Sequence, residues 1–402
     1  MKILLVTNKF PSPPKDGGSL ASYNMAAGLA DNGNQVDLLA MNTSKHYIFE
    51  GMPESAVAGV NKTIKVFVET SPSFRDIIRN LFFSTLPYNS TRFISADFSK
   101  ALIQMLRESS YDVVQLEGLY LAPYIETIRE NSAALVSYRA HNIEHIIWKG
   151  FWRREKNPFR RWYYRILYKR IQKFEQEFIN RYDLLVPITT EDKMYLDKMG
   201  NTKESFVATF GMYPSEIPFC RKNEKREPTI QYIGALDWKP NIDGLDWFID
   251  RVWARVKSEV DDAIFMVAGR NSERGYARNL VKNGVDFRGE VGSAAKYLMQ
   301  SGILVVPLFA GSGIRVRIIE AMLMGKPVVA TSFAVTGIPV ENGRHLLLAD
   351  NEDDFAGSVS RMLRDPDFSS RIGRNAREFA LENFDNRVIT GKLTAFYKNS
   401  VQ

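Results

Sequence analysis

"PLFAGSGIRVRIIEAMLMGKPVVAT", Pro307 to Thr331, reads as a strand end, a glycine loop, a helix and a second strand in immediate succession. The apolar run "ILVVPL" predicts the first strand, helical spacing opens near Ile314, and Gly325 is placed to stop the helix before "PVVAT" begins the next strand. Free N–H groups at a helix start attract anions, and glycines let a ligand come close because no Cβ intervenes. Ser312, Gly313 and Ile314 occupy that start, and Arg315 and Arg317 add fixed positive charge suited to a diphosphate. Glu320 follows about one and a half turns into the helix, where a carboxylate can accept hydrogen bonds from sugar or ribose hydroxyls. The same residues also describe a tight strand-to-helix turn with surface arginines, and the loop by itself does not choose between the two.

Outward from this stretch, strand-length apolar runs alternate with helix-length segments. "KILLVT", "QVDLLAM", "IKVFVE", "YDVVQLE", "ALVSYRA" and "DLLVPIT" are strands of the first half; "TIQYIG", "AIFMVAG", "GVDFRG", "ILVVPL" and "PVVAT" are strands of the second. Such alternation predicts parallel sheets covered by helices on both faces. The pattern breaks at "CRKNEKREPT", Cys220 to Thr229, a charged stretch without apolar periodicity where a linker is expected. Ligands in sheets of this kind bind at the carboxyl ends of the strands.

With 402 residues the chain is long enough for two domains with cores of their own, and 45% hydrophobic with 25% charged residues excludes disordered and fibrous classes. The opening "MKILLVTNKF" reads as a buried strand, not a signal peptide, and no apolar run approaches the length of a bilayer span. The single cysteine, Cys220, excludes an internal disulfide and a thiolate metal cluster within one chain. A cytoplasmic protein, soluble or bound at the inner face of the membrane, is the expectation. "RAHNIEH", Arg139 to His145, matches the H-x-x-E-H pattern of zinc peptidases. That reading needs both histidines within a helix and a third ligand downstream. "AALVSYRAH" instead reads as a strand running into its carboxyl-end loop, which places His141 among cleft residues and His145 at a local helix start. No metal is expected.

"GSGIRVRIIEAMLMGKPVVAT" resembles the donor-binding signature of family-4 (group 1) retaining glycosyltransferases of the GT-B fold. Further similar pieces occur in order: "FPSPPKDGGSLASYNMAAGLADNGNQVDLLA", "YRAHNIEHIIW", "YIGALDWKPNIDGLDWF", "FRGEV" and "GIPVENGRHLLLAD". The resemblance implies an α/β fold of two doubly wound, Rossmann-like parallel-sheet domains facing across a cleft. Residues 1–220 would form the acceptor-side domain, 228–384 the nucleotide-sugar donor domain, and 385–402 a helix crossing back to the first. It also implies roles. Glu320 matches the second glutamate of an E-x7-E motif that binds the ribose, while Ser312 replaces the first, which helps hold the donor sugar. Lys239 matches the lysine that neutralises the diphosphate. Ala235 stands where the family has an arginine, so Arg315 or Arg317 would supply that charge. Val291 resembles the position contacting the base, Gly17 and Gly18 the glycines that admit the donor phosphates, and His141 the histidine beside the donor sugar. Gly17 and Gly18 also suit a simple loop turn.

The implied reaction transfers a hexose-type sugar from a UDP- or GDP-linked donor, with retention and without a metal or other cofactor, to a glycan or lipid-linked acceptor in surface polysaccharide assembly. A nucleotide-sugar epimerase or hydrolase on the same fold, and an inactive scaffold, are the alternatives. From Lys149 to Lys173, ten basic residues accompany one acidic residue and seven aromatics. Mixed aromatics and cations suit an anionic membrane surface. A solvated face with its aromatics turned into the core is the competing reading; single-stranded nucleic acid is not an expected partner, for want of a recognition motif. "IIRNLFFSTLPY", Ile77 to Tyr88, is a second membrane or acceptor contact or a buried helix.

Overall fold

The computed structural model describes residues 1–14, 16–44, 47–49, 57–219, 228–300, 302–311 and 313–401. Ser312, Cys220 and most of the expected linker lie outside the described residues. The chain divides into two compact units, Met1–Gly211 with Asn386–Gln402, and Met212–Asp385.

The first unit holds a parallel sheet in the order β3-β2-β1-β4-β5-β6-β7. Its strands are β1 (Lys2–Thr7), β2 (Gln35–Thr43), β3 (Lys62–Val68), β4 (Val113–Glu117), β5 (Leu135–Ala140), β6 (Leu184–Pro187) and β7 (Glu204–Ser205). The second unit holds another, in the order β10-β9-β8-β11-β12-β13. These are β8 (Thr229–Ile233), β9 (Ile264–Ala268), β10 (Asp286–Gly289), β11 (Ile303–Val306), β12 (Val328–Ala330) and β13 (Leu347–Leu348). The expected strands all form. The apolar runs are their cause: Ile3, Leu4, Leu5 and Val6 of β1 are wholly buried, as strands covered on both faces must be. The two-residue strands β7 and β13 are too short to carry a sequence signal. In each sheet the strand order reverses beside the first strand, between β1 and β4 and between β8 and β11, which makes the crevice at their carboxyl ends the place for a ligand.

Three boundaries differ from expectation. The division falls at Gly211, ahead of Cys220, because Met212 pairs with Asp385 in a parallel bridge and its N–H donates to the Phe384 carbonyl at 2.8 Å. Gly17 and Gly18 are the first residues of the Gly17–Asp31 helix, not loop residues, since Asp16 and Ser19 form a capping box at its start. The helix after β8 runs from Lys239 to Trp247, because Pro240 suits a first turn, so Lys239 is helical and lies outside the loop.

The C-terminal helix, Asn386–Val401, packs on the Gly17–Asp31 helix of the first unit. Gly28 permits the approach: a Cβ there would lie 2.6 Å from the Thr390 hydroxyl. Asn34 and Asn32 seal the contact, donating to the Thr394 and Thr390 hydroxyls at 2.9 Å each.

Candidate active site

At the carboxyl ends of β4 and β5 the first unit buries polar side chains where a sheet covered on both faces ordinarily carries aliphatic ones. Strand register sets Gln115 beside Ser137 and Glu117 beside Arg139, and all four are buried. His141 extends the alternation one step past β5. The Glu117 Oε2 accepts from Arg139 Nη1 at 3.0 Å and from the Ser22 hydroxyl at 2.8 Å, and meets His141 Nε2 at 2.8 Å. Its Oε1 accepts from the Gln115 amide at 2.5 Å. At the far end, the Tyr397 hydroxyl of the C-terminal helix donates to Gln115 Oε1 at 2.6 Å and lies 2.7 Å from the Ser137 hydroxyl. Burial alone would raise the Glu117 carboxyl, but Arg139, His141 and the hydrogen bonds hold it at about 2. An ionised Glu117 only accepts, so His141 presents Nε2–H to it and keeps Nδ1 for another partner. The His141 side chain is 19% exposed, enough to meet a ligand.

His145 belongs to a different cluster. His141 precedes the Glu144–Arg154 helix and His145 lies in its first turn, so the two imidazoles do not share the helix face that the zinc reading requires. His145 Nδ1 pairs with Glu175, and its Nε2 lies 2.9 Å from the Tyr195 hydroxyl. The Glu175 oxygens also accept from the backbone N–H of Glu144 at 2.9 Å and of His145 at 3.2 Å, so a buried carboxylate from the Pro158–Phe178 helix caps this one. Beside it, Tyr120 donates to Glu144 at 2.8 Å, and burial pushes the Glu144 carboxyl up to about 7 against that bond.

The Gly17 and Gly18 turn carries its own acid. The Asp16 side chain accepts from the Ser19 N–H at 2.9 Å and from Lys9 Nζ at 2.5 Å. Burial opposes ionisation of Asp16, yet the Lys9 ammonium and the Ser19 N–H bring its carboxyl down to about 2.

In the second unit, β11 leads into the glycine loop and the Val316–Leu323 helix, whose N-terminal residue Arg315 provides no side-chain cap. Nor does a side chain cap the Lys239–Trp247 helix, which follows the neighbouring strand β8. Gly311 sits at φ +130°, and a Cβ on it would lie 2.7 Å from the Trp238 ring and 2.9 Å from Arg315 Nη2. Only glycine fits there. The loop thereby draws the residue before Lys239 against the Arg315 guanidinium. Gly313, at φ +77°, turns the chain towards Ile314 and the helix. Burial brings Arg315 down to about 10, and its guanidinium lies 5.7 Å from the Phe333 ring and donates to the Gly313 carbonyl. Arg317 pairs with Glu320 one turn on, so part of the charge expected to meet a diphosphate is spent on the carboxylate expected to meet a ribose. Burial raises Glu320 above the usual carboxylate range despite Arg317. Lys239 is exposed and paired with Asp243. Val291, with Arg288, Ser293 and Tyr297, lines an open pocket after β10.

Residues 227–365 match the family described as glycosyl transferases group 1. Over its whole length the chain is similar to a 44.6 kDa protein of the cps region of Klebsiella pneumoniae, with 24% identity covering 96% of this chain and 97% of that protein. Among solved structures, Anabaena HepE in complex with UDP superposes with a TM-score of 0.67 at 15% identity, over 99% of this chain and 100% of that one. Sucrose-phosphate synthase of Thermosynechococcus elongatus does so with a TM-score of 0.70 at 14% identity, over 99% of both chains. The fold is therefore GT-B, with two Rossmann-like domains.

Glu117, Arg139, Gln115 and Tyr397 escaped the sequence reading. The first three left a trace, polar residues at alternate positions of "VVQLE" and "LVSYRAH" in strands otherwise apolar, whereas Tyr397 left none.

Proposed function

We propose that this glycosyltransferase moves a hexose-type sugar from a UDP- or GDP-linked donor to a glycan or lipid-linked acceptor, with retention and without a metal, in cytoplasmic steps of surface polysaccharide assembly. The observation that carries the reading is the crevice of the second unit, where two helices whose N-cap residues, Trp238 and Arg315, make no side-chain cap start beside Lys239 and Arg315. Negative charge grows on the departing diphosphate as its bond to the anomeric carbon breaks, and N–H groups and cations already in place stabilise it. The acceptor oxygen bonds to the anomeric carbon on the same face, and its proton passes to the leaving phosphate oxygen. Glu320 accepts from the ribose hydroxyls, Val291 flanks the base, and His141 holds a hydroxyl of the sugar. HepE was solved with UDP, and the Klebsiella relative comes from a cps region, which supports a nucleotide donor and a polysaccharide setting.

Thermal unfolding with UDP, GDP, ADP and their sugars, with and without EDTA, tests this reading. A ligand at a hundred times its Kd adds about 2.7 kcal/mol to stability. A shift with one uridine or guanosine nucleotide, unaffected by EDTA and lost in Glu320→Ala, is expected. No shift with any nucleotide would overturn the transferase reading in favour of a scaffold.

A further inference from the structure

The Phe74–Phe83 helix, "FRDIIRNLFF", is turned inside out. Its buried residue is the polar Asn80, while Phe74 is 76% exposed, Ile78 40%, Phe82 71% and Phe83 85%. Phe74, Ile78 and Phe82 recur every four residues and so form one stripe along the helix. The inward face pairs the half-buried Ile77, which packs against the core, with the polar Asn80: Asn80 donates to the Leu86 carbonyl at 3.1 Å, and Arg170 donates to the Asn80 carbonyl at 3.0 Å and the Leu81 carbonyl at 2.7 Å. Arg170 belongs to the Pro158–Phe178 helix, which itself exposes Phe159 (82%) and Trp162 (55%). The arginine bridge thus ties the apolar stripe to the basic aromatic segment.

The charges around these rings are predominantly positive. Arg75 and Arg79 flank the stripe, and Arg153, Arg154, Arg160 and Arg161 lie exposed near Phe159 and Trp162; Asp76 is the acid within the first helix. Aromatic rings standing out among arginines do not suit water, and they do not suit a second copy of this chain, whose equally basic rim would repel. They suit an interface that is apolar inside and anionic at its surface.

We propose that the Phe74–Phe83 helix and the adjoining start of the Pro158–Phe178 helix dock the first unit on an anionic lipid bilayer. The phenylalanines enter the acyl boundary and the arginines meet headgroup phosphates. Docking holds the protein where a lipid-linked acceptor would be presented; it rests on the transferase reading for that purpose, not for its existence.

Flotation of the full-length protein with phosphatidylglycerol and with phosphatidylcholine vesicles, at low and raised salt, tests the proposal. Binding to phosphatidylglycerol vesicles, weakened by salt, is expected, with little binding to phosphatidylcholine. Phe82→Ser with Phe83→Ser should weaken partitioning by about tenfold or more, and Arg160→Gln with Arg161→Gln by about tenfold with a shallower salt dependence. Both variants should unfold at the parent temperature with the parent's nucleotide-induced shift, since the side chains removed are exposed. Undiminished flotation of the phenylalanine variant would overturn the proposal, as would equal binding to both lipids, or a self-associating parent that this variant renders monomeric. Vesicle binding without any nucleotide shift would leave the docking surface standing and remove the transferase reading instead.

Discussion

The two crevices of this protein are built in opposite ways. In the first unit the helix after β1 is capped by its own carboxylate, Asp16, and the ends of β4 and β5 carry the buried ion pair of Glu117 and Arg139, with His141 hydrogen-bonded to Glu117. In the second unit the N-cap residues of the two crevice helices, Trp238 and Arg315, make no side-chain cap, and the cations nearby are partly exposed or joined to near neighbours, Lys239 to Asp243 and Arg317 to Glu320. A closed network holds a side chain in place before any ligand arrives. An open helix start with cations gains most when an anion arrives. The difference leaves the first unit pre-organised and the second open to an anion.

Three substitutions would sharpen or break that contrast. The largest effect belongs to Arg139→Met, which leaves the Glu117 charge buried without its main partner; a loss of about 3 kcal/mol in denaturant unfolding is expected. A loss below about 1 kcal/mol would mean that the network is not closed in the sense described. Next comes Arg315→Gln, expected to weaken nucleoside diphosphate binding about tenfold in calorimetry, roughly 1.4 kcal/mol, with stability little changed. If it destabilised the fold and left binding alone, the second crevice would be structural like the first.

The smallest effect is a matter of pH. Glu144 is pushed up to about 7 in the folded protein from an ordinary value of 4.5, so the folded state holds its proton over a range where the unfolded state has lost it. Stability associated with that proton is fully present below the ordinary value and falls as pH rises towards 7. Because Glu144 is only partly buried, Glu144→Gln should add on the order of 1 kcal/mol at pH 8 and nothing at pH 4, flattening the decline between them. A parallel decline in parent and variant would place the titration elsewhere.

Strands and glycine loops were legible in the sequence because each depends on residues close in the chain. An apolar run such as "ILLV" can satisfy its backbone only in a covered sheet, and Gly311 is required by a local φ together with the close approach of Trp238. Helix starts shifted by a turn or less, because Asp16 and Pro240 weigh more at a helix end than the apolar period does. The outward Phe74–Phe83 helix could not be told from a buried one, since its spacing suits either side of the same stripe.

By itself, then, the sequence determined two doubly wound halves, the positions of their loops, and a cluster of cations after β11, all of which follow from periodicity, chain punctuation and charges a few residues apart. Only the tertiary structure decided that His141 is held by Glu117, that Tyr397 reaches the same network from the far end of the chain, and that the phenylalanines of the Phe74–Phe83 helix face outward. Hydrogen bonds between residues 24 and 282 positions apart, and the side of a helix that meets solvent, arise from packing and leave no short-range trace.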